Sequence, residues 1–347
     1  MNVRSRLISA GVAGLALIAL TACRDSHAAA TSADGTPQVK IMVGGIDKVI
    51  YLPAKLTEQL GYFKDEGVDV QLLTEPSGAL AENVLIAGDV QGVVGFYDHT
   101  VDLQAKGKCI QSVVQFADVP GEVEVVSTSK AGQITTPADF KGLRLGITSP
   151  GSSTDFLTQA LAVRNGVQTS DFTRVKAGAG STFLAALSNG QIDAGMTTDP
   201  TAARLTSSSQ GKVMLDMRTE AGTRAALGGL YPGSSLYMDC AWVQQNKATV
   251  QKLARALVKT LSYIHTHSAA EIAAKMPADY AGGDPNLYVT AINDSKTMFT
   301  TDGVMPADGP KNVLDVLSSF SPSVQGKKDS IDLSKTYTTE FVQAANR

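Results

Sequence analysis

Apolar residues in this chain fall into two rhythms, and the order in which those rhythms alternate is used twice. Val39 to Val43 is a short apolar run that reads as a strand and leads into Gly44-Gly45. Leu52, Leu56 and Leu60 then recur at the four-residue spacing that stacks side chains on one helix face, and Gly61 ends the pattern. Val68 to Leu73 reads as a second strand, Glu75-Pro76-Ser77 as a turn, and Ala79 to Ala87 as a helix stopped by Gly88. Gly92 to Phe96 follows as a strand with apolar residues on both faces. This is a βαβαβ unit, which builds a parallel sheet flanked by helices.

The same order returns downstream. Leu143 to Ile147 is a strand, Thr148 to Ser153 a loop, Thr154 to Arg164 a helix, Phe172 to Lys176 a strand, Ser181 the start of a helix and Ile192 to Met196 a strand. Ser77 corresponds to Ser181 and Gly88 to Gly190, offsets of 104 and 102 residues, so the pattern predicts two α/β lobes built alike. Between the units, Ile110 to Phe116 and Val123 to Thr128 are strands joined by a Pro-Gly turn, an expected crossover; Ser234 to Val243 is an expected return. Two crossovers make a hinge. Lys247 to His267 predicts a long amphipathic helix, with Val250, Leu253, Leu257, Leu261 and Ile264 on one face. Further helices are expected at 271–276, 287–299, 312–320 and 334–345.

The start of the chain has a different pattern. Arg4 and Arg6 precede an apolar run from Leu7 to Leu20, which is too short to span a bilayer and reads as an export signal. It meets Leu20-Thr21-Ala22-Cys23, and residues 24–37, rich in Ala, Ser and Thr, read as a tether. The expected organisation is therefore a signal peptide over 1–22 and a tether over 23–37. The first part of lobe one follows over 38–121, lobe two with its hinge strands over 122–242, and return helices packing largely on lobe one over 243–347. Loss of residues 1–22 removes two arginines and no acid, which moves the net charge from −3 to −5. No basic run interleaved with aromatics is present, so nucleic acid is not an expected partner. Cys109 and Cys240, far apart in sequence, read as separate buried small hydrophobes before they read as a disulfide.

Several segments resemble one family. Leu-Thr-Ala-Cys is similar to the lipobox of bacterial lipoproteins, which implies that Cys23 carries a lipid anchor. Pro53-Ala54-Lys55, Leu60-Gly61-Tyr62-Phe63-Lys64-Asp65-Glu66-Gly67-Val68-Asp69-Val70, Asp139-Phe140-Lys141-Gly142-Leu143-Arg144-Leu145-Gly146 and Asn189-Gly190-Gln191-Ile192-Asp193-Ala194 resemble signatures of ABC-importer binding proteins of the nitrate, sulfonate and taurine type, a group that includes thiamin pyrimidine precursor binders. Gly88-Asp89-Val90-Gln91-Gly92 and Asn246-Lys247 depart from that family's usual turns. The resemblance implies a two-lobed fold of the type II periplasmic-binding-protein kind. It also implies a monomer outside the cytoplasm that captures a solute, delivers it to importer permease subunits, and needs no cofactor. A sensor component, or a binder of a thiamin pyrimidine precursor, is the alternative.

Ligands of open α/β sheets sit outside the carboxyl ends of strands, where helix N-termini present free N–H groups. That rule names five loops. They hold Gly45, Ile46 and Lys48; Ser77 and Gly78; Tyr97, Asp98 and His99; Ser149, Ser152, Ser153 and Thr154; and Thr198 and Asp199. Serine and threonine ahead of a helix can cap it or meet an anionic ligand, Tyr97 offers a face for a flat ligand, and Lys48 can balance an anion. The hydroxyls and Lys48 lean towards a small anion such as a sulfonate, nitrate, carboxylate or aromatic acid. No Gly-x-Ser-x-Gly elbow is present, His27, His99, His265 and His267 have no metal-like spacing, and Gly178-Ala179-Gly180 lacks the lysine of a phosphate loop, so no catalysis is expected.

Overall fold

The computed structural model describes residues 30–346, so the export signal and the lipidation expected at Cys23 lie outside the described residues. Among the described residues eleven strands form two sheets: β1 (Ala30–Thr31), β2 (Pro37–Val43), β3 (Asp69–Thr74), β4 (Gly92–Phe96), β5 (Ile110–Gln115), β6 (Glu122–Ser127), β7 (Arg144–Ile147), β8 (Thr173–Lys176), β9 (Ala194–Thr198), β10 (Gly211–Asp216) and β11 (Ser234–Asp239). In lobe one β2 pairs in parallel with β3 and β4, and β11 lies antiparallel between β4 and β5. In lobe two β7 pairs in parallel with β8 and β9, and β6 lies antiparallel between β9 and β10. Each lobe thus completes its sheet with a strand that arrives directly from the other lobe. The two connections, at 116–121 and 228–233, run side by side, with the Gly233 amide donating to the Ala117 carbonyl at 2.9 Å.

Local chemistry explains where elements stop. The strand expected at 192–196 runs from Ala194 to Thr198, because the Ile192 amide still bonds back to Ala186. Asp193 clamps the same corner, accepting from the Arg144 amide and guanidinium at 2.8 Å each. Burial works to raise the Asp193 carboxyl, but the hydrogen bonds from Arg144 and Lys130 outweigh it and hold it at about 2. The return stretch ends as a strand at Asp239, whose carboxylate caps a new helix, Cys240–Gln245, by accepting from the amides of Ala241 and Trp242. The helix expected from 334 begins only at Glu340, after a short 3-10 turn, Leu333–Lys335. Strand β10 carries no clean alternation and was not anticipated.

The reading of the cysteines as separate is corrected by the structure. Asp239 of β11 pairs with Ile110 of β5, the Cys240 amide donates to the Cys109 carbonyl at 3.0 Å, and the two cysteines form a disulfide with Cα atoms 5.5 Å apart. Sequence separation is no guide here, because the crossover brings β11 back beside β5.

The C-terminal part works on both lobes. The Lys247–Thr266 helix packs on the Leu52–Gln59 and Tyr62–Asp65 helices of lobe one. It buries Val250, Leu253, Leu257, Leu261 and Ile264 almost completely, at roughly 1.5–3 kcal/mol for each such side chain relative to leaving it in water. The Pro285–Ser295 helix lies against Thr201–Ser207 of lobe two, and the Gly309–Phe320 helix against both Ser153–Arg164 of lobe two and Asp98–Ala105 of lobe one.

One glycine pair sets the packing of lobe two's sheet. Gly195 of β9 sits opposite Gly146 of β7, and a Cβ on Gly195 would lie 2.7–2.9 Å from the carbonyl oxygen, Cα and nitrogen of Gly146. Backbone cannot swing aside as a flexible side chain can. Gly195→Ala is expected to cost about 3 kcal/mol through overpacking, read as a fall in the urea midpoint at unchanged slope.

Candidate functional site

The loops at the carboxyl ends of the strands meet face to face, and the lobes touch through them. The Ser149 hydroxyl donates to the Ser77 hydroxyl at 2.8 Å, the Ser153 hydroxyl to Asp98 at 3.4 Å, and the Val49 amide to the Asp199 carbonyl at 3.0 Å. Ser77 also caps the Gly78–Ala87 helix by accepting from the Leu80 amide. Gly78 lets its helix start pack against the buried His99 ring of the same lobe, since a Cβ there would come within 2.7 Å of that ring.

Behind these contacts lies a buried polar cluster. Asp98, at the first turn of the Asp98–Ala105 helix, accepts from the Tyr231 hydroxyl at 2.9 Å. His99 is fully buried, with Nδ1 3.2 Å from the Tyr237 hydroxyl and 3.6 Å from Glu82, and Nε2 3.8 Å from Asp98. Lys48 folds back under its own loop and donates to the carbonyls of Gly44 at 2.7 Å and Pro76 at 3.2 Å. Glu122, the first residue of β6, is 2 % exposed, and its Oε2 has no partner among the described residues.

Withdrawal from water dominates the electrostatics. Burial pushes the carboxyl of Asp98 up to about 7 and that of Glu82 up to about 8, and raises those of Glu122 and Glu124 well above the usual range. The Asp98 carboxyl adds to the rise at Glu122, while the Lys48 ammonium opposes it. Burial also lowers Lys48 to about 8 and His99 to about 4. Every group that can shed its charge is pushed to do so, the signature of a site from which bulk water is excluded.

Of the residues singled out in the sequence, Lys48, Ser77, Gly78, Asp98, His99, Ser149 and Ser153 converge on this cluster. The others are engaged elsewhere. Tyr97 turns its ring into the core, bonding Thr336 and meeting Tyr337 edge-on, so it presents no stacking face to the cleft. Ser152 and Thr154 build their own turn, Ser152 donating to the Ser149 carbonyl and Thr154 accepting from the Thr148 amide. The Ile46 amide donates to Thr74, Gly45 takes the left-handed conformation at φ 110° that lets Lys48 fold over it, Thr198 donates to the Gly121 carbonyl at the hinge, and the Asp199 carboxylate pairs with Arg218. Sequence reasoning missed Glu122, Tyr231, Tyr237 and Glu82. Only Glu122 left a trace, in the alternation Glu122-Val123-Glu124-Val125, which puts two carboxyls on one face of a strand otherwise built from valine.

A groove of about 570 Å³ touches this cluster at Glu82, with Glu82, Asp102 and Lys106 on one wall and Gly151, Asp155 and Arg174 on the other. It opens between the lobes.

Residues 51–270 match the model of the family described as NMT1/THI5 like. The chain belongs to that family. A protein of Bordetella bronchiseptica RB50 has the same fold at 35% identity, with a TM-score of 0.85 over 89% of this chain and 96% of that one. The alkanesulfonate-binding protein of Xanthomonas axonopodis pv. citri, solved with MOPS bound, superposes at 17% identity with a TM-score of 0.71, over 90% of this chain and all of its own. The periplasmic nitrate-binding protein of Synechocystis PCC 6803 superposes at 12% identity with a TM-score of 0.69, over 89% of this chain and 88% of that one. These two likenesses establish a periplasmic-binding-protein fold. A curated relative, the 4-amino-5-hydroxymethyl-2-methylpyrimidine phosphate synthase of Schizosaccharomyces pombe, is 28% identical over 148 residues, 42% of this chain; the chain spans 40% of that relative's length.

Proposed function

We propose that this NMT1/THI5-like protein is an extracytoplasmic solute-binding component that captures a small organic molecule between its lobes and hands it to the permease subunits of an ABC importer. The observation that carries the reading is the set of hydrogen bonds made across the cleft by strand-end loops of both lobes, Ser77 to Ser149 and Asp98 to Ser153. A solute that bridges the same loops stabilises the closed arrangement by its differential affinity for it, and the paired connections at 116–121 and 228–233 provide the hinge about which the lobes part. Cys23 is the proposed lipid attachment site, holding a monomer at the outer face of the cell membrane.

This is a reading of a carrier and not of an enzyme. The synthase relative is matched over a minor part of its length. The two cysteines of the folded part are bonded to each other, which leaves neither thiol free for chemistry.

The test is small-angle scattering of the purified protein, titrated with whichever solute raises its unfolding temperature. The radius of gyration is expected to fall as the solute saturates. A solute that binds tightly and leaves the scattering unchanged would show that hinge closure is not how this protein works.

A further inference from the structure

We infer that Gln115 is a hinge pin: its side-chain amide ties the two interlobe connections together where they leave lobe one, so that the lobes part by bending beyond that point and meet again in register. This rests on the solute-binding reading above, which requires the lobes to open and close about those connections.

Gln115 is the last residue of β5 and is 1 % exposed. Its Nε2 lies 2.7 Å from the Ala117 carbonyl on the outgoing connection, and 3.1 and 3.3 Å from the carbonyls of Ser234 and Gly233 on the returning one. One NH2 group thus faces acceptors on both connections. The amide can sit only this way round, because its oxygen would be repelled by all three carbonyls. That leaves Oε1 buried with no partner among the described residues, a destabilising arrangement for an amide oxygen. Methionine would fill the same space without that cost, so what glutamine adds is its donors.

Backbone hydrogen bonds mark how far the pinned part reaches. The Phe116 and Ala117 amides donate to the Ser234 carbonyl at 2.8 and 3.1 Å, and the Gly233 amide to the Ala117 carbonyl at 2.9 Å. On the other side, the Thr300 amide donates to the Phe116 carbonyl at 2.7 Å and the Asp118 amide to the Met298 carbonyl at 3.1 Å. The outgoing connection is therefore the middle one of three bonded segments as far as Asp118. The Thr300 hydroxyl also donates to the Gln115 carbonyl at 3.1 Å, which fixes the backbone of the pin. Past Asp118 this ladder stops. Val119, Pro120 and residues 229–232 make no backbone–backbone hydrogen bond among the described residues, and the outgoing chain is next held at Gly121, whose amide donates to Met217 of lobe two at 3.1 Å.

Bending therefore falls to Val119–Pro120 and to 229–232, where no ladder has to break. A pivot this short matters for capture. Ser77 must meet Ser149, and Ser153 must meet Asp98, across a cleft whose walls hang from these two connections. Were the connections free to slide past each other at their lobe-one ends, lobe two could twist as well as swing, and fewer open arrangements would lead back to those contacts. The Gln115 side chain bonds only backbone carbonyls of the connections among the described residues, so it acts on capture through them, as a positioning residue.

The experiment places spin labels, carried on noncanonical residues that spare the Cys109–Cys240 disulfide, at exposed Asp89 of lobe one and Asn189 of lobe two. Pulsed electron paramagnetic resonance on the solute-free protein then reads the distribution of interlobe distances. Gln115→Met is expected to fold, because each of the three carbonyls keeps a backbone donor, in the case of Gly233 the Tyr97 amide at 3.0 Å. Its distance distribution is expected to broaden and to include separations outside the wild-type range. A folded variant with the wild-type distribution overturns the inference. A second measurement needs no variant: in the wild type, hydrogen exchange of the Phe116, Ala117, Asp118 and Gly233 amides is expected to be as slow as that of β4. Exchange of these amides through a local opening, faster than β4, would show the connections unpinned and overturns the inference as well. Neither result bears on the solute-binding reading, whose own test is compaction on solute binding.

Discussion

Removal of the Cys109–Cys240 disulfide, by reduction or as the Cys109→Ser, Cys240→Ser double variant, is expected to lower the unfolding free energy by about 4 kcal/mol without changing the native fold. The bridge closes a loop of 131 residues. Chain-entropy arguments assign a loop of that length about 5 kcal/mol, and losses measured for native disulfides fall at about 2–5 kcal/mol. The folded state should hardly notice. β5 and β11 are already paired up to Ile110 and Asp239, so the cysteines lie where an antiparallel ladder would put them. The bracketed segment holds both hinge connections and the whole of lobe two's sheet, so the bridge staples the base of one lobe where it is inserted into the other. The measurement is urea unfolding with and without reductant, followed by both fluorescence and far-ultraviolet dichroism. A loss under about 1 kcal/mol would mean that the reduced, unfolded chain still holds β5 against β11, since only residual pairing could supply the missing constraint.

What could be read in advance follows a physical divide. The two βαβαβ units were legible because their burial is local: a strand such as Gly92–Phe96 with both faces covered is apolar throughout, and a helix such as Lys247–Thr266 with one covered face shows its stripe. The disulfide was misjudged because it depends on where β11 lands, a fact of topology. β10 was missed because Lys212 and Asp216 leave its pattern mixed; it lies at the edge of its sheet, paired among the described residues with β6 alone.

The site divides in the same way. Strand-end logic found the loops, because the geometry of parallel sheets aims helix N-termini at the cleft whatever the side chains are. It could not tell which hydroxyls would be spent inside a loop, as those of Ser152 and Thr154 are, and which would reach across, as those of Ser149 and Ser153 do. Nor could it find Glu122, which lies on a crossover strand and is buried because β6 enters lobe two antiparallel beside β9. Lys48 is plain in the sequence, but the carboxyls around it come from separate elements, and so does the carbonyl of Pro76 that accepts from one of its N–H groups.

Arg218→Met is expected to destabilise the protein by about 3–5 kcal/mol at neutral pH, a loss that shrinks as the solution is made acidic. The Arg218 guanidinium grips Asp216 through Nε at 3.0 Å and Nη2 at 2.7 Å, and reaches Asp199 through Nη1 at 3.0 Å. Asp199 is fully buried, with Ser295 donating at 2.7 Å and the Ala203 amide at 3.1 Å. Even with all three donors, burial keeps its carboxyl above the usual value. Removing the guanidinium leaves a buried carboxylate without its counter-charge, the costly way to break such a pair. The group then escapes by taking up a proton, which raises its folded pKa further. A raised carboxyl stabilises the fold below its unfolded pKa and loses that contribution as pH climbs through the folded value. The gap between wild type and variant should therefore be small near pH 4 and widen towards pH 8. Urea unfolding across that range tests the sign, and a gap that stays constant would show that Asp199 is not the group responsible. Asp199→Asn in the Arg218→Met background should recover much of the loss, since the amide oxygen can accept from Ala203 and the amide NH2 can donate to the Ser295 hydroxyl, with no charge to bury. The consequence reaches the cleft, because the carbonyl of Asp199 accepts the Val49 amide from the opposite lobe. A loop held less firmly by Arg218 offers that amide a less fixed partner, so the single variant should close less tightly around its solute even where it remains folded.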